Sequence, residues 1–193
     1  MKQVALLLLV ALMLSGCSNN VVNTQTAQQA ASGVWSAEML GGSGEASGFS
    51  FNTEFTVHSG GDLEITYFQF LTAEGGTSPC FPVNGGTEAG TMKLNIDPST
   101  GEVTGTMTYT VQATGNTLTL NGQVTGTAAI TGIPTSLSNG SVTGTWAVTG
   151  GSGCNATGGT FTMCQAATAT PSTGLCTTTT TTPAIASQNQ SLR

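Results

Sequence analysis

The sequence holds one histidine, His58, so any imidazole general-base or ligand chemistry must run through it. Glu54 stands four residues earlier in an alternating stretch, on the same face of an extended chain. Their separation along a strand is about 13 Å, too far for a carboxylate to orient the ring. A solvated strand face is the expectation for both. Asp62 and Glu64 also share a face, and together they could approach a cation. A calcium loop needs more oxygen ligands at defined spacing. The expected role is an exposed strand whose charge discourages edge pairing. Serines are plentiful, but with one histidine and no G-x-S-x-G turn a hydrolase triad lacks its parts. Glu54, His58, Asp62 and Glu64 are thus the residues an enzyme would have to use. The expectation is a protein that is not an enzyme and holds no metal or cofactor.

The distribution of charge sharpens this. Charged residues make up 6% of the chain, against the usual level of about 25%. Every acidic residue falls between Glu38 and Glu102, and from Val103 to Leu192 there is no Asp, Glu, Lys, Arg or His. Lys93 is the one basic residue between Lys2 and Arg193. Neutralising a phosphate backbone takes many such groups, so nucleic-acid binding is excluded, and electrostatic attachment to anionic lipid is equally disfavoured.

The chain opens with Lys2, an apolar run from Val4 to Leu14, and Ser15-Gly16-Cys17. A charged start, a short apolar core and small residues at its end form a secretory signal. The run is short of the roughly 20 apolar residues a membrane span needs. Leu14-Ser15-Gly16-Cys17 resembles the lipobox of bacterial lipoproteins. The resemblance implies that residues 1–16 are removed and that the Cys17 thiol carries a diacylglyceryl group, its new amino terminus being acylated. Several acyl chains exceed the two lipid signals that stable anchoring requires. Ser18 stands where an aspartate would imply retention at the inner membrane, so the expectation is an outer-membrane lipid anchor, its leaflet open. Residues 17–32 are Asn-, Gln- and Ala-rich and read as a flexible tether.

Setting Cys17 aside leaves Cys80, Cys154, Cys164 and Cys176. An even set in an exported chain reads as two disulfides with three pairings. Cys80–Cys154 with Cys164–Cys176 is favoured, since the first joins two glycine-flanked loops and the second pins the tail to the last strand. The local pair Cys154–Cys164 stays open.

The rest reads as strands. Phe49, Phe51, Thr53, Phe55 and Val57 alternate with Ser50, Asn52, Glu54, Thr56 and His58, a half-buried strand. Gly60-Gly61 turns the chain into Leu63–Leu71. Residues 72–90 form a long loop, after which Met92, Leu94 and Ile96 resume alternation into the turn Asp97-Pro98-Ser99-Thr100-Gly101. Val-Thr-Gly-Thr then recurs at Val103, Val124 and Val142, each glycine on the face of its valine. Such a glycine allows tight curvature or a large side chain across the way. Asn139-Gly140 reads as a tight turn, and 159–164 as the last strand. Trp35, Trp146, Tyr67 and Tyr109 are expected to fill the core rather than line a pocket.

Nine or so strands, short links and no helix after the signal give an all-β fold: an antiparallel meander closed into an up-and-down barrel, or else a sandwich. The β-domain spans 33–176, and 177–193 is a Thr-rich disordered tail. Gly144-Thr145-Trp146 resembles a strand of lipocalin-type and biotin-binding barrels. The segment from Val142 through Cys154 to Met163 resembles uncharacterised β-rich lipoproteins of Gram-negative soil bacteria, which implies no activity. The expected function is a non-enzymatic binding or structural role at the cell envelope. Its partners would be the membrane, through Cys17, and an unidentified protein. The alternative is a carrier for a small apolar ligand inside the barrel.

Overall fold

The computed structural model describes residues 18–40, 50–71, 86–113, 115–132, 134–150 and 158–166, with side chains from Thr24 onward. One helix, α1 (Ser18–Ala31), precedes eight strands: β1 (Gly33–Leu40), β2 (Ser50–Val57), β3 (Leu63–Leu71), β4 (Thr87–Ile96), β5 (Glu102–Ala113), β6 (Asn116–Thr127), β7 (Ser138–Gly150) and β8 (Gly158–Gln165). Every neighbouring pair is antiparallel, in the order β3-β2-β1-β8-β7-β6-β5-β4. The first and last strands of that order meet at the Asp62–Thr91 bridge. The sheet is therefore an up-and-down meander nearly closed into a barrel, as the alternation and short links predict. Eight described strands replace the nine or so expected.

Alternation does the sorting. In β5, Val103, Met107, Tyr109 and Val111 point inward and are buried, while Thr104, Thr106 and Thr108 face out. Gly105, Gly126 and Gly144 of the Val-Thr-Gly-Thr copies also fall on the inner face, as does Gly122 ahead of the second copy. A Cβ on Gly122 would stand 2.8 Å from the Phe161 ring, and one on Gly144 would stand 2.0 Å from the Asn121 carbonyl oxygen. The missing side chains make room for Phe161 and let β6 and β7 approach within the core. At Asn139-Gly140 the expected tight turn is instead a bulge. Asn139 has φ +53°, and the β6–β7 register shifts between Thr125 and Thr127, so two residues of β7 oppose one of β6. The turn at Asp97 forms as expected, with its carboxylate accepting from the Ser99 amide (2.7 Å) and hydroxyl (2.6 Å). Those bonds, hydroxyl first, hold the Asp97 carboxyl below its ordinary range.

The largest departure is at the start. Residues 18–31, expected to be a flexible tether, form α1, which packs against β2 and β4. Ala27, Ala30 and Ala31, spaced i, i+3, i+4, are fully buried in the core cluster. Their small side chains bring the helix close to the barrel while Gln25 and Gln29 stay exposed. A hydrophobicity reading misses such a stripe because alanine adds little apolar area. Ser32 ends the helix: its hydroxyl donates to the Gln28 carbonyl (2.9 Å) and accepts from the Val57 amide (2.9 Å). Gly33, at φ +119°, then turns the chain into β1.

Gln165, at the end of β8, ties this end of the barrel together. Its amide nitrogen donates to the carbonyls of Ala30 and Ser32, both at 2.9 Å, and its oxygen accepts from the Leu137 amide at 2.8 Å.

Candidate functional site

The interior is the first place a ligand could sit, and side chains fill it. Trp35 stacks on Phe55 with ring centres 6.0 Å apart, and its indole donates to the Ala31 carbonyl at 2.9 Å. Phe51 lies against Phe68 (5.1 Å), Phe70 (6.1 Å) and Tyr109 (5.7 Å). Met39, Met92, Met107, Leu118, Leu120, Trp146, Phe161 and Met163 complete the packing. Trp35, Tyr109 and Trp146 are core residues, as expected, while Tyr67 is half-buried on the outer side of β3, its hydroxyl bonded to Gln69. A polar chain through this core runs from the Tyr109 hydroxyl to Thr53 Oγ1 (2.9 Å), which donates to the Tyr67 carbonyl (3.0 Å). Burial pushes the Tyr109 phenol well above its ordinary value.

The larger concavity lies outside the barrel wall, between α1 and the β2–β3 turn. This open groove has a volume of about 870 Å³. Amides of Gln25, Gln28 and Gln29 line one side. The hydroxyls of Thr56 and Ser59 and the ring of His58 line the other. Its floor is set by the fold: the Ser32–Val57 hydrogen bond fixes the helix end against β2, and Gly60-Gly61, both at positive φ, fold β3 back alongside. Such a surface offers neutral hydrogen-bond donors and acceptors and suits a polar, uncharged ligand.

The structure keeps His58 and Glu54 apart, as the spacing requires, but places His58 just past β2, with its Nε2 2.8 Å from Glu64 Oε2. The hairpin makes this contact. Val57 pairs with Leu63 and Thr56 with Glu64, so the turn returns Glu64 beside His58. Reasoning along one strand could not find it; folding the sequence about Gly60-Gly61 could have. Both side chains are more than half exposed, so the pair is a hydrated surface contact rather than a desolvated catalytic one. Asp62 lies apart in the bridge to Thr91. Among the described residues, no group of three or more His, Cys, Asp or Glu gathers as a metal site would require.

Of the cysteines, Cys164 is described. It lies on the outer face of β8 between Ser36 of β1 and Ser141 of β7, and it is disulfide-bonded. Cys17, Cys80, Cys154 and Cys176 lie outside the described residues, as do the signal segment and the Thr-rich tail. Among the described residues no helix is long and apolar enough to cross a membrane. No protein-family model matches the chain, and neither does any curated protein or solved structure.

Proposed function

We propose that this chain is an envelope lipoprotein, held by lipid on Cys17, whose barrel has a non-enzymatic binding or structural role. The observation that carries the reading is Leu14-Ser15-Gly16-Cys17 behind a short apolar run. The fold supports it. Helix α1 begins at Ser18, directly after the anchor position, and is packed on the barrel. A lipid on Cys17 would be coupled rigidly to the domain, about 10 Å from Thr24 at the helical rise per residue. The filled interior favours this role over the carrier reading.

The two-disulfide pairing belongs to the same reading. Cys164 lies opposite Ser141, nine residues before the end of β7 at Gly150, a run of about 30 Å. Cys154 is four residues past Gly150, a reach of about 14 Å, and a disulfide spans at most about 7 Å between Cα atoms. Those lengths fall short of Cys164, which disfavours the local Cys154–Cys164 pair. Cys164–Cys176 and Cys80–Cys154 remain our proposal, the loops carrying Cys80 and Cys154 both leaving the barrel end opposite α1. Peptide mapping without reduction tests it.

The deciding experiment is intact mass of the protein extracted from cell membranes, beside a Cys17→Ala variant. A mature chain starting at Cys17 with acyl chains, and release of the variant from membranes, is the expected result. An unlipidated chain, or a variant that stays membrane-bound, would overturn the anchor. A turnover abolished by His58→Ala or Glu64→Gln would overturn the non-enzymatic reading.

A further inference from the structure

Helix α1 turns one stripe toward the β2–β3 turn: Gln25, Gln28, Gln29 and Ser32, spaced by three or four residues. Facing them across the groove are Thr56, His58 and Ser59. Gln28 is the unusual member. It is only 8% exposed, and while its backbone carbonyl accepts from Ser32, its side-chain amide has no hydrogen-bond partner among the described residues. Buried amides are nearly always paired, because taking one from water without a partner costs free energy that the rest of the fold must offset. Lining the groove, this amide draws its partners from whatever the groove holds.

The lining narrows the ligand class. It contains no lysine or arginine, and its histidine is engaged by Glu64 through Nε2 at 2.8 Å. An anion would meet no fixed cation there and would stand near the Glu64 carboxylate. A cation would find that carboxylate already taken. The ligand is therefore neutral. Val57 is the one apolar side chain among the described lining residues, so an extended peptide would have no pockets for its alternate side chains. What repeats is amides and hydroxyls, groups that both donate and accept. Sugar hydroxyls do the same, and one planar amide can bridge two neighbouring hydroxyls of a ring. The volume of about 870 Å³ falls within the range of about 300–1,000 Å³ for small-ligand sites, enough for a short chain of sugar rings.

We propose that the groove between α1 and the β2–β3 turn binds a short, neutral oligosaccharide. The Gln28 amide bridges hydroxyls of one ring, and Gln25, Gln29 and Ser59 hold the rings on either side. Neither tryptophan nor tyrosine lines the groove to stack on a sugar face, so the affinity is millimolar. The proposal gives the binding role argued above its ligand class but needs no part of the lipid anchor, so the two fail separately.

The test is an NMR titration of the isotope-labelled protein isolated from cells, held in a sugar-free detergent, with maltotriose, cellotriose and triacetylchitotriose. At least one should shift the Gln28 side-chain amide and the backbone amides of residues 56–60, saturating in the millimolar range and unaffected by half-molar salt. Trigalacturonate, equally long but charged, should bind at least ten-fold more weakly. Gln28→Leu keeps the bulk and removes the amide. Binding should fall at least ten-fold while the urea midpoint holds or rises, because an unpaired buried amide is lost. Ser59→Ala, on the exposed rim, should weaken binding about three-fold with the fold untouched. Tighter binding of the responding sugar when displayed on a lipid in phosphatidylcholine vesicles would mark a membrane glycan as its source, and equal binding a free chain; both support the site. No shift with any of the three sugars would overturn the proposal, as would tighter binding of trigalacturonate. A lowered urea midpoint in Gln28→Leu with binding retained would do the same, making Gln28 structural. So would an octapeptide alternating glutamine and serine that shifts the same amides at lower concentration than any sugar.

Discussion

Strands β1–β3 fill their side of the barrel with rings: Trp35, Phe51, Phe55, Phe68 and Phe70. Strands β5–β7 contribute two rings, Tyr109 and Trp146, and otherwise fill theirs with Met107, Leu118, Leu120 and Val124, notched by Gly105, Gly122 and Gly144. The outer faces differ as much. The first half carries Glu38, Glu54, His58, Asp62 and Glu64, with α1 packed against its β2 and, among the described residues, one bridge at its border with β4. The second, Lys93 and Glu102 aside, is an uncharged lattice in which Thr91, Thr108, Asn121, Thr145 and Thr160 lie side by side across five strands. Alternation alone builds both halves, so it determines the wall and leaves its use undetermined. What distinguishes them is where bulk and charge are spent. Rings and charge gather where the barrel has a helix to seat and the β3–β4 border to close. Threonine and glycine suffice where strands need only pair with one another.

The comparison breaks most visibly at Trp35. Trp35→Ala removes a fully buried indole that stacks on Phe55 and holds the end of α1. It should lower stability by about 3–5 kcal/mol, read as a fall in the urea midpoint. Thr145→Ala on the neutral wall should change it by less than about 0.5 kcal/mol. Equal effects would mean that the ringed half does not dominate the core.

Next comes the glycine half. Gly144→Ala would place a methyl 2.0 Å from the Asn121 carbonyl oxygen and 2.5 Å from the Gly122 Cα, both backbone. Neither atom can move without parting β6 from β7. The expected loss is about 1–3 kcal/mol, with faster amide exchange around Asn121 and Gly122. A neutral result would show that the strands can shear past the added methyl, and that inward glycine here reflects composition rather than fit.

These sites also show what the sequence could disclose. Period-two alternation and the glycine faces were legible because each is a local property of a strand. The His58–Glu64 contact, the α1 packing and the Asn139 bulge were not legible from any one strand, for three different reasons. The first depends on cross-strand register, set by the Gly60-Gly61 turn between two partners six residues apart. The second rests on three alanines whose burial becomes worthwhile only once a barrel end exists to receive them. The third arises because Asn-Gly supplies the same left-handed backbone to a bulge as to a hairpin turn, and the long-range pairing of Thr125 with Ser141 and Thr127 with Ser138 makes it a bulge here.

The smallest expected effect lies where the halves meet. Tyr109 of β5 stacks on Phe51 and Phe68, while its hydroxyl donates to Thr53 of β2. Tyr109→Phe keeps the ring and removes one buried hydrogen bond. Thr53 still donates to the Tyr67 carbonyl, so no donor is orphaned, and the loss near neutrality should be about 1 kcal/mol. Its pH signature is more telling. Burial, the largest cause, raises the Tyr109 phenol above its ordinary value of 10.0. Below pH 10 the group is neutral in both states and its contribution is fully present. As pH climbs past 10 the unfolded chain ionises while the folded one does not. Stability should then fall by up to about 1.4 kcal/mol per pH unit until the folded phenol also titrates. Urea unfolding between pH 8 and 11 should show that slope in the parent and lose it in Tyr109→Phe. An unchanged slope would assign the alkaline loss to other groups, and would mean that the bond joining the two halves is open to water in solution.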